Sequence, residues 1–220
     1  MSGQEIEAVI FDCDGTLVDS ETLSIQVLVD QIGELGLQLN YERAVEQFSG
    51  NDLSVVLEDV ETQLGHSLPT DFLDDFRHRQ IDVLREQLQP VAGAADLLAS
   101  VEQQTCVASN APVEKISACL ATTGLDRFFS PGELFSAYQI QMWKPAPDLF
   151  LLAAQTMGIA PEKCAVVEDS RFGIEAGISA GMQVFAYSPN LEHHNDERVT
   201  AVEQLTDLTP LLRGGSFLSG

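Results

Sequence analysis

Two carboxylates, Asp12 and Asp14, lie one residue apart in the sequence FDCDGT, and a glycine follows the second one directly. The apolar residues IEAVIF that precede them are typical of a buried strand. Aspartate is unfavourable inside a strand, and an unpaired buried carboxylate is costly, so we expect the strand to end here. Both acids would then lie at its carboxyl edge, which is where open α/β sheets bind their ligands.

Three further segments place polar side chains where apolar runs end or helices begin. The strand-like run TCVASN ends in Ser109 and Asn110, and a helical pattern follows, which is typical of a phosphate-binding turn. Lys144 comes just before a helix that starts with proline, and it would be a mobile positive charge. Glu168 and Asp169 follow the apolar run CAVV as a second acidic pair. We expect all of these segments at the carboxyl ends of strands of one sheet.

The residue types in these segments indicate a chemistry. Four carboxylates can share one cleft only if positive charge is present, because like charges repel strongly at low dielectric. Oxygen ligands without histidine or cysteine favour Mg²⁺. A metal ion and Lys144, together with the Ser109 hydroxyl, would bind a phosphoryl group that one carboxylate is placed to attack.

The elements that must position these residues fall into two groups. Helical patterns fill the chain from the end of the first strand to Pro90, at residues 20–36, 41–48, 52–64 and 69–88. From Pro90 onward, helical patterns alternate with short apolar strands, which is typical of a parallel sheet with crossover helices. The sequence therefore predicts an α/β fold, with a doubly wound, Rossmann-like parallel-sheet core formed by residues 1–17 and 90–220. An all-helical cap, residues 18–89, is inserted after the first strand.

The bulk composition excludes several classes of protein. The net charge of −23 over 220 residues argues against nucleic acids and anionic membranes as partners. The amino terminus lacks the features of a signal peptide, and no apolar run is long enough to span a bilayer. The four scattered cysteines form no CxxC pair, so we expect neither zinc nor disulfides. A cytoplasmic protein that acts on a small molecule, with a monomer as a plausible state, is the simplest interpretation.

The quoted segments resemble a known family. In order along the chain, DCDGT, ASN, WKPAPDLF and VVEDSRFGIEAG resemble the four motifs of the haloacid dehalogenase (HAD) superfamily. The helical insertion is similar to that of the small-cap subfamily, which includes phosphoglycolate phosphatase and β-phosphoglucomutase. The stretch LFSAYQIQMWKPAPDLF is especially similar to bacterial 6-phosphogluconate phosphatases and related sugar-phosphate phosphatases.

The resemblance implies roles for the acidic residues. Asp12 would be the nucleophile that takes the phosphoryl group as an aspartyl phosphate. Asp14 would protonate the leaving alcohol and then activate water, and its backbone carbonyl would contact Mg²⁺. Asp169 would bind the metal directly, with Glu168 close by or bound through water, and Asp12 would be a further metal ligand.

The resemblance also implies supporting roles. Ser109, Asn110 and Lys144 would bind the phosphate, and Lys144 would in addition hold the Asp12 carboxylate. Thr16 would brace the loop that carries the two aspartates. In the cap, we expect polar loop residues to hydrogen-bond a polyol substrate; these are Gln47, Ser49 and Asn51.

The residues favour one reaction of this superfamily over others. Dehalogenases need no second aspartate or metal, whereas Asp14 and the second acidic pair are present here. A phosphonoacetaldehyde hydrolase needs a lysine in the cap, and the lysines of this chain, Lys115, Lys144 and Lys163, all lie outside it. Mutases carry a histidine where this chain has Ser24, and an arginine in a loop that here reads QFSGNDLS.

These comparisons favour a Mg²⁺-dependent phosphomonoester hydrolase that acts on a sugar phosphate or a sugar-acid phosphate such as 6-phosphogluconate. A β-phosphoglucomutase and a phosphoglycolate phosphatase remain alternatives. A non-catalytic member that binds a partner protein is disfavoured, because binding alone would not require Asp12, Asp14, Lys144 and Asp169 together.

Overall fold

The computed structural model of the chain describes residues 5–48, 53–187 and 196–213. By its internal contacts the chain divides into two compact units. One unit combines residues 1–19 with 90–220, and the other consists of residues 20–89. The first division therefore lies two residues later than the boundary that the sequence predicts.

The unit of residues 20–89 is built from helices. They are α1 (Glu21–Glu34), α2 (Tyr41–Phe48), α3 (Leu53–Leu64) and α4 (Phe72–Gln87). Their apolar faces meet in a common core, in which Ile32 of α1, Val60 of α3 and Phe76 of α4 are buried. Ser20 precedes α1 as expected, but its side chain makes no capping hydrogen bond. Its carbonyl instead accepts hydrogen bonds from the backbone N–H and the hydroxyl of Ser24.

The other unit contains a six-stranded sheet in the order β3-β2-β1-β4-β5-β6. The strands are β1 (Ala8–Phe11), β2 (Gln104–Ser109), β3 (Leu134–Ser136), β4 (Cys164–Glu168), β5 (Gln183–Tyr187) and β6 (Val199–Val202). All neighbouring strands are parallel. The strand order reverses direction at β1, which pairs with both β2 and β4. The crevice beyond the carboxyl end of β1 is thus the position where such sheets bind ligands.

Helices cover this sheet. They are α5 (Ala94–Ser100), α6 (Val113–Thr123), α7 (Ala137–Ile140), α8 (Asp148–Met157), α9 (Arg171–Ser179) and α10 (Leu208–Leu212). Ala8 and Ile10 share a buried cluster with Leu149 and Phe150 of α8. Val9 and Phe11 point to the opposite face and are equally buried, which explains why β1 is apolar without alternation. The predicted α/β fold, with a helical insertion after its first strand, is confirmed.

Two strands were not predicted from the sequence, β3 and β6. β3 has only three residues, and three of the four residues of β6 retain some exposure, so neither shows a clear apolar run. The short helices α7 and α10 were likewise not predicted. Within the described ranges, no helix combines the length and the apolar character that crossing a membrane requires.

Candidate active site

The loop after β1 holds the first acidic pair in a tight turn. The Asp12 N–H donates to the Val167 carbonyl at 3.0 Å, so the hydrogen-bond ladder with β4 continues one residue beyond the strand. The chain then turns back, because the N–H groups of Leu17 and Val18 both donate to the Cys13 carbonyl. Asp12 is buried by this turn, and Asp14 is half-buried.

A buried ammonium group lies between two of the carboxylates. Lys144 Nζ is 2.5 Å from Asp12 Oδ1 and 2.7 Å from Glu168 Oε1, and it also lies 4.8 Å from the centre of the Phe150 ring. Burial alone would lower the pKa of Lys144, but the charges of Asp12 and Glu168 raise it well above its ordinary value. Lys144 is therefore a permanent cation that binds the acids following β1 and β4.

The backbone of Lys144 is held by Asn110. The Lys144 N–H donates to Asn110 Oδ1 at 3.0 Å, and Asn110 Nδ2 donates to the Lys144 carbonyl at 3.4 Å. Lys144 lies in the turn between α7 and α8, so the expectation that it directly follows a strand is wrong. A side chain at the end of β2, rather than a strand of its own, brings Lys144 to this edge of the sheet.

Glu168 is the last residue of β4, and hydrogen bonds to its second carboxylate oxygen also fix its side chain. Glu168 Oε2 accepts hydrogen bonds from the backbone N–H and the hydroxyl of Ser170, both at 2.8 Å. Ser170 is also the N-cap of α9, where its hydroxyl oxygen accepts from the Gly173 N–H at 3.1 Å. The carboxylate of Glu168 is thus bound on one oxygen by Lys144 and on the other by the start of α9.

Asp169 lies against the loop that carries the first acidic pair. The Thr16 hydroxyl donates to Asp169 Oδ1 at 2.8 Å. Gly15 has a φ of +85°, and a Cβ at that position would come within 2.1 Å of Asp169 Oδ2, so only glycine fits the turn. Burial, followed by the charges of Glu168 and Asp12, raises the pKa of Asp169 well above its ordinary value.

Ser109 ends β2 and is buried. Its hydroxyl oxygen accepts from the Ala111 N–H at 3.1 Å, which shapes the turn into α6. The carbonyl of Ala111 in turn accepts from the Ser136 hydroxyl at 2.6 Å, which ties this turn to the end of β3. Ser109 and the amino terminus of α6 therefore lie at the same sheet edge as Asp12.

The sequence did not indicate one further contact. Lys115 Nζ is 2.7 Å from Asp14 Oδ1, and the two side chains are 14% and 27% exposed. Burial alone would lower the pKa of Lys115, but the Asp14 charge and its hydrogen bond raise it. A lysine in the first turn of a helix opposes the helix dipole, and this anomaly is the signal that could have singled it out.

Comparison with known protein families identifies the family of this chain. The model of the haloacid dehalogenase-like hydrolases matches residues 6–181, which include every residue described at this edge of the sheet. The chain belongs to the haloacid dehalogenase-like hydrolase family.

Two phosphatases are also similar to this chain. The chain is 35% identical over 209 residues to 6-phosphogluconate phosphatase of Escherichia coli K12, with 94% of each chain covered. It is 29% identical over 176 residues to a fructose-1-phosphate phosphatase of the same organism, covering 79% of this chain and 92% of that one. The prediction of a HAD-type phosphatase is thereby confirmed at the level of the enzyme class.

A solved HAD structure supports the fold. A HAD family hydrolase from Deinococcus radiodurans, determined with bound phosphate and sodium, is 28% identical. It superposes with a TM-score of 0.73 over 95% of this chain and 96% of that one.

The charges of this HAD site suit a divalent cation. Among the residues that the structure describes, the ammonium groups of Lys115 and Lys144 lie against Asp14, Asp12 and Glu168, and Asp169 is the fourth acid beside them. Counted as ionised groups, four carboxylates and two ammonium groups leave a formal excess of two negative charges. Burial raises the pKa of Asp12 to about 7; Lys144 opposes this rise, whereas Glu168 and Asp14 add to it. In the part of the chain that the structure describes, no three acidic, histidine or cysteine side chains form a ready metal cluster. The oxygen donors and their charge nevertheless fit Mg²⁺.

The expected cap residues stay predictions. Gln47 belongs to α2, but its side chain is outside the described part of the structure, and Ser49 and Asn51 lie outside the described residues altogether.

Proposed function

We propose that this chain is a Mg²⁺-dependent phosphomonoesterase that acts on a small sugar phosphate or sugar-acid phosphate, with 6-phosphogluconate as the first candidate. The observation that carries the proposal is the Lys144 ammonium group held between Asp12 and Glu168 at the switch point of the sheet. The 35% identity to a 6-phosphogluconate phosphatase supports the substrate class.

In the proposed reaction, Asp12 is the nucleophile. A carboxylate oxygen of Asp12 attacks the phosphorus, and the bond from phosphorus to the ester oxygen breaks. Asp14 gives its proton to that oxygen, so the sugar leaves as an alcohol. Water then attacks the aspartyl phosphate while Asp14 takes up one of its protons, and the Asp12 carboxylate leaves with the electron pair.

The neighbouring residues prepare Asp12 for this attack. Lys144 binds the Asp12 carboxylate, and a hydrogen bond to Asn110 fixes the Lys144 backbone. The nucleophile is therefore oriented before the reaction begins. The same ammonium group, the Ser109 hydroxyl and the amino terminus of α6 would bind the phosphate oxygens. The related Deinococcus hydrolase was determined with bound phosphate, which supports phosphate as a ligand of proteins with this fold.

Asp12 and Asp169, with the backbone carbonyl of Asp14, would hold the metal. When bound, Mg²⁺ would neutralise the phosphate oxygens and the two carboxylates. Glu168 was also expected near the metal, but both of its oxygens accept hydrogen bonds from protein groups. We therefore assign Glu168 to the positioning of Lys144.

The test is phosphate release from a panel of sugar phosphates, sugar-acid phosphates, phosphoglycolate and β-glucose 1-phosphate, with Mg²⁺ and with EDTA. We expect Mg²⁺-dependent release, fastest from a sugar or sugar-acid phosphate. Asp12→Asn should lower kcat by on the order of 10³-fold or more, because it removes the nucleophile. Asp19→Asn, at an exposed position after the same loop, is the matched control and should retain activity.

Three outcomes would contradict the proposal. An active Asp12→Asn variant would exclude the aspartyl-phosphate mechanism. Full activity in EDTA would exclude the metal. Conversion of β-glucose 1-phosphate to an isomer without phosphate release would identify a mutase.

A further inference from the structure

Lys115 has no role in the reaction as described so far. It lies in the first turn of α6, and its ammonium group is 2.7 Å from Asp14 Oδ1. Its side chain is only 14% exposed, so this is a partly desolvated ion pair rather than a surface one, and it is less screened by solvent.

The position of Lys115 is unfavourable unless it has a partner such as Asp14. Desolvation penalises its charge, and the positive end of the α6 dipole repels it. The Asp14 carboxylate offsets both costs. The contact also joins the loop after β1 to the helix after β2, and these two segments carry the proposed nucleophile and the proposed phosphate-binding turn.

We propose that Lys115 is a positioning residue that holds the Asp14 side chain, through its contact with Oδ1, in place for the proton transfers. The inference rests on the proposed function, since it adds a residue to the proton transfers of that reaction. The Asp14 side chain is 27% exposed, so a substrate or a water molecule can reach it.

The proton balance of the two steps is simple. In the first, the proton on the Asp14 carboxyl group moves to the ester oxygen as the P–O bond to the sugar breaks, which leaves Asp14 as a carboxylate. In the second, Asp14 takes a proton from the attacking water as the bond from phosphorus to Asp12 breaks, and inorganic phosphate forms. Asp14 is then protonated again for the next substrate.

This role predicts a dependence on the leaving group. A sugar alkoxide needs a proton to leave, whereas p-nitrophenolate does not. Lys115→Met should lower kcat/KM for the preferred sugar phosphate about tenfold or more, but change kcat/KM for p-nitrophenyl phosphate less than about twofold. The inhibition constant of inorganic phosphate should also change less than about twofold, because Lys115 does not bind the phosphate.

Three variants control the experiment. Lys115→Arg keeps the charge and should recover part of the lost activity toward the sugar phosphate. In an Asp14→Asn background, Lys115→Met should have almost no further effect, because the two residues act as a unit. Lys163→Met removes an exposed lysine that pairs with Glu7, and it should leave both activities unchanged. Thermal unfolding of every variant checks that it is folded.

Several results would overturn the inference. Equal losses with both substrates and a weaker binding of phosphate would make Lys115 a phosphate ligand. An unchanged kcat/KM of Lys115→Met for the sugar phosphate would show that Lys115 has no part in the reaction. Suppose that the wild type releases phosphate and Asp12→Asn does not. Either of these two results would then overturn only the role of Lys115 and leave the proposed function standing. An inactive wild type, or an active Asp12→Asn, overturns the proposed function as well.

Discussion

The carboxylate of Glu168 occupies the space that a side chain on Gly173 would need. A Cβ built on Gly173 would come within 1.8 Å of Glu168 Oε1 and 2.5 Å of Oε2. Glu168 Oε1 is also the atom that binds Lys144, so the absence of a side chain at Gly173 lets the Glu168 carboxylate reach the buried lysine.

Gly173→Ala should therefore displace Glu168 and weaken its contact with Lys144. We expect kcat/KM to fall about tenfold or more, because a small displacement of a positioning group is costly in catalysis. The free energy of unfolding should fall by about 1–3 kcal/mol from overpacking. Steady-state kinetics and urea unfolding measure the two effects.

Gly132→Ala is the matched control for this substitution. A Cβ at Gly132 meets no atom within 4 Å, so we expect neither activity nor stability to change measurably. If Gly173→Ala behaves in the same way, the space around Glu168 is not limiting and the role given to Gly173 is wrong.

Asn110→Ala should loosen the backbone of Lys144, because it removes both hydrogen bonds between the Asn110 side chain and that backbone. We expect a loss of about tenfold in kcat/KM and about 1–2 kcal/mol in the free energy of unfolding. Asn40→Ala is a suitable comparison, since Asn40 Oδ1 accepts a hydrogen bond from the Arg43 N–H in the helical unit. That variant should lose stability without the same loss of kcat/KM.

Thr16→Val should weaken the binding of Mg²⁺. The substitution keeps the shape of the side chain but removes the hydrogen bond that orients Asp169. Loss of such a contact raises the Mg²⁺ concentration for half-maximal activity by about tenfold, while kcat at saturating Mg²⁺ stays within about twofold. Calorimetric titration with Mg²⁺ provides a direct binding constant, and Thr16→Ser should restore it. If Thr16→Val leaves the Mg²⁺ binding constant unchanged, Thr16 only stabilises the loop and does not support the metal site.

The stability of the metal-free chain should depend on pH through Asp12. Burial raises its pKa from 3.8 to about 7, so between these values the folded chain retains a proton that the unfolded chain has released. The free energy of unfolding should therefore fall as the pH rises through this window, and this component, at most a few kcal/mol, is absent from Asp12→Asn. Urea unfolding in EDTA from pH 4 to pH 8 measures the free energy of unfolding of wild type and Asp12→Asn. As the pH rises, the wild type should lose stability relative to the variant. A constant difference would contradict the raised pKa.

The positions of Asp12, Ser109, Glu168 and Asp169 could be predicted because each follows an apolar run that forms a fully or largely buried strand. In such a strand the first polar residue marks the end, and parallel strands end at a common edge. β3 and β6 could not be predicted in this way, since one is very short and the other is partly exposed.

The roles of Asn110 and Lys115 depend on three-dimensional packing. The binding of phosphate by Asn110 stays a prediction, and its side-chain amide has a further role that the sequence did not indicate. The amide binds the Lys144 backbone, which becomes its neighbour only when the chain folds. Lys115 and Asp14 meet because the turns after β1 and β2, two paired strands, lie side by side. A local pattern can mark Lys115 as unusual, through its place in the first turn of α6, but it does not identify the partner of either residue.

The distribution of lysine has a practical consequence for spectroscopy. The chain has three lysines, and two of them, Lys115 and Lys144, have their ammonium groups against carboxylates of the site. A ¹⁵N spectrum of selectively labelled lysine side chains would thus contain few resonances, most of them from the reaction centre. Lys163 would serve as an internal reference, so the binding of phosphate or Mg²⁺ could be followed without assigning the rest of the protein.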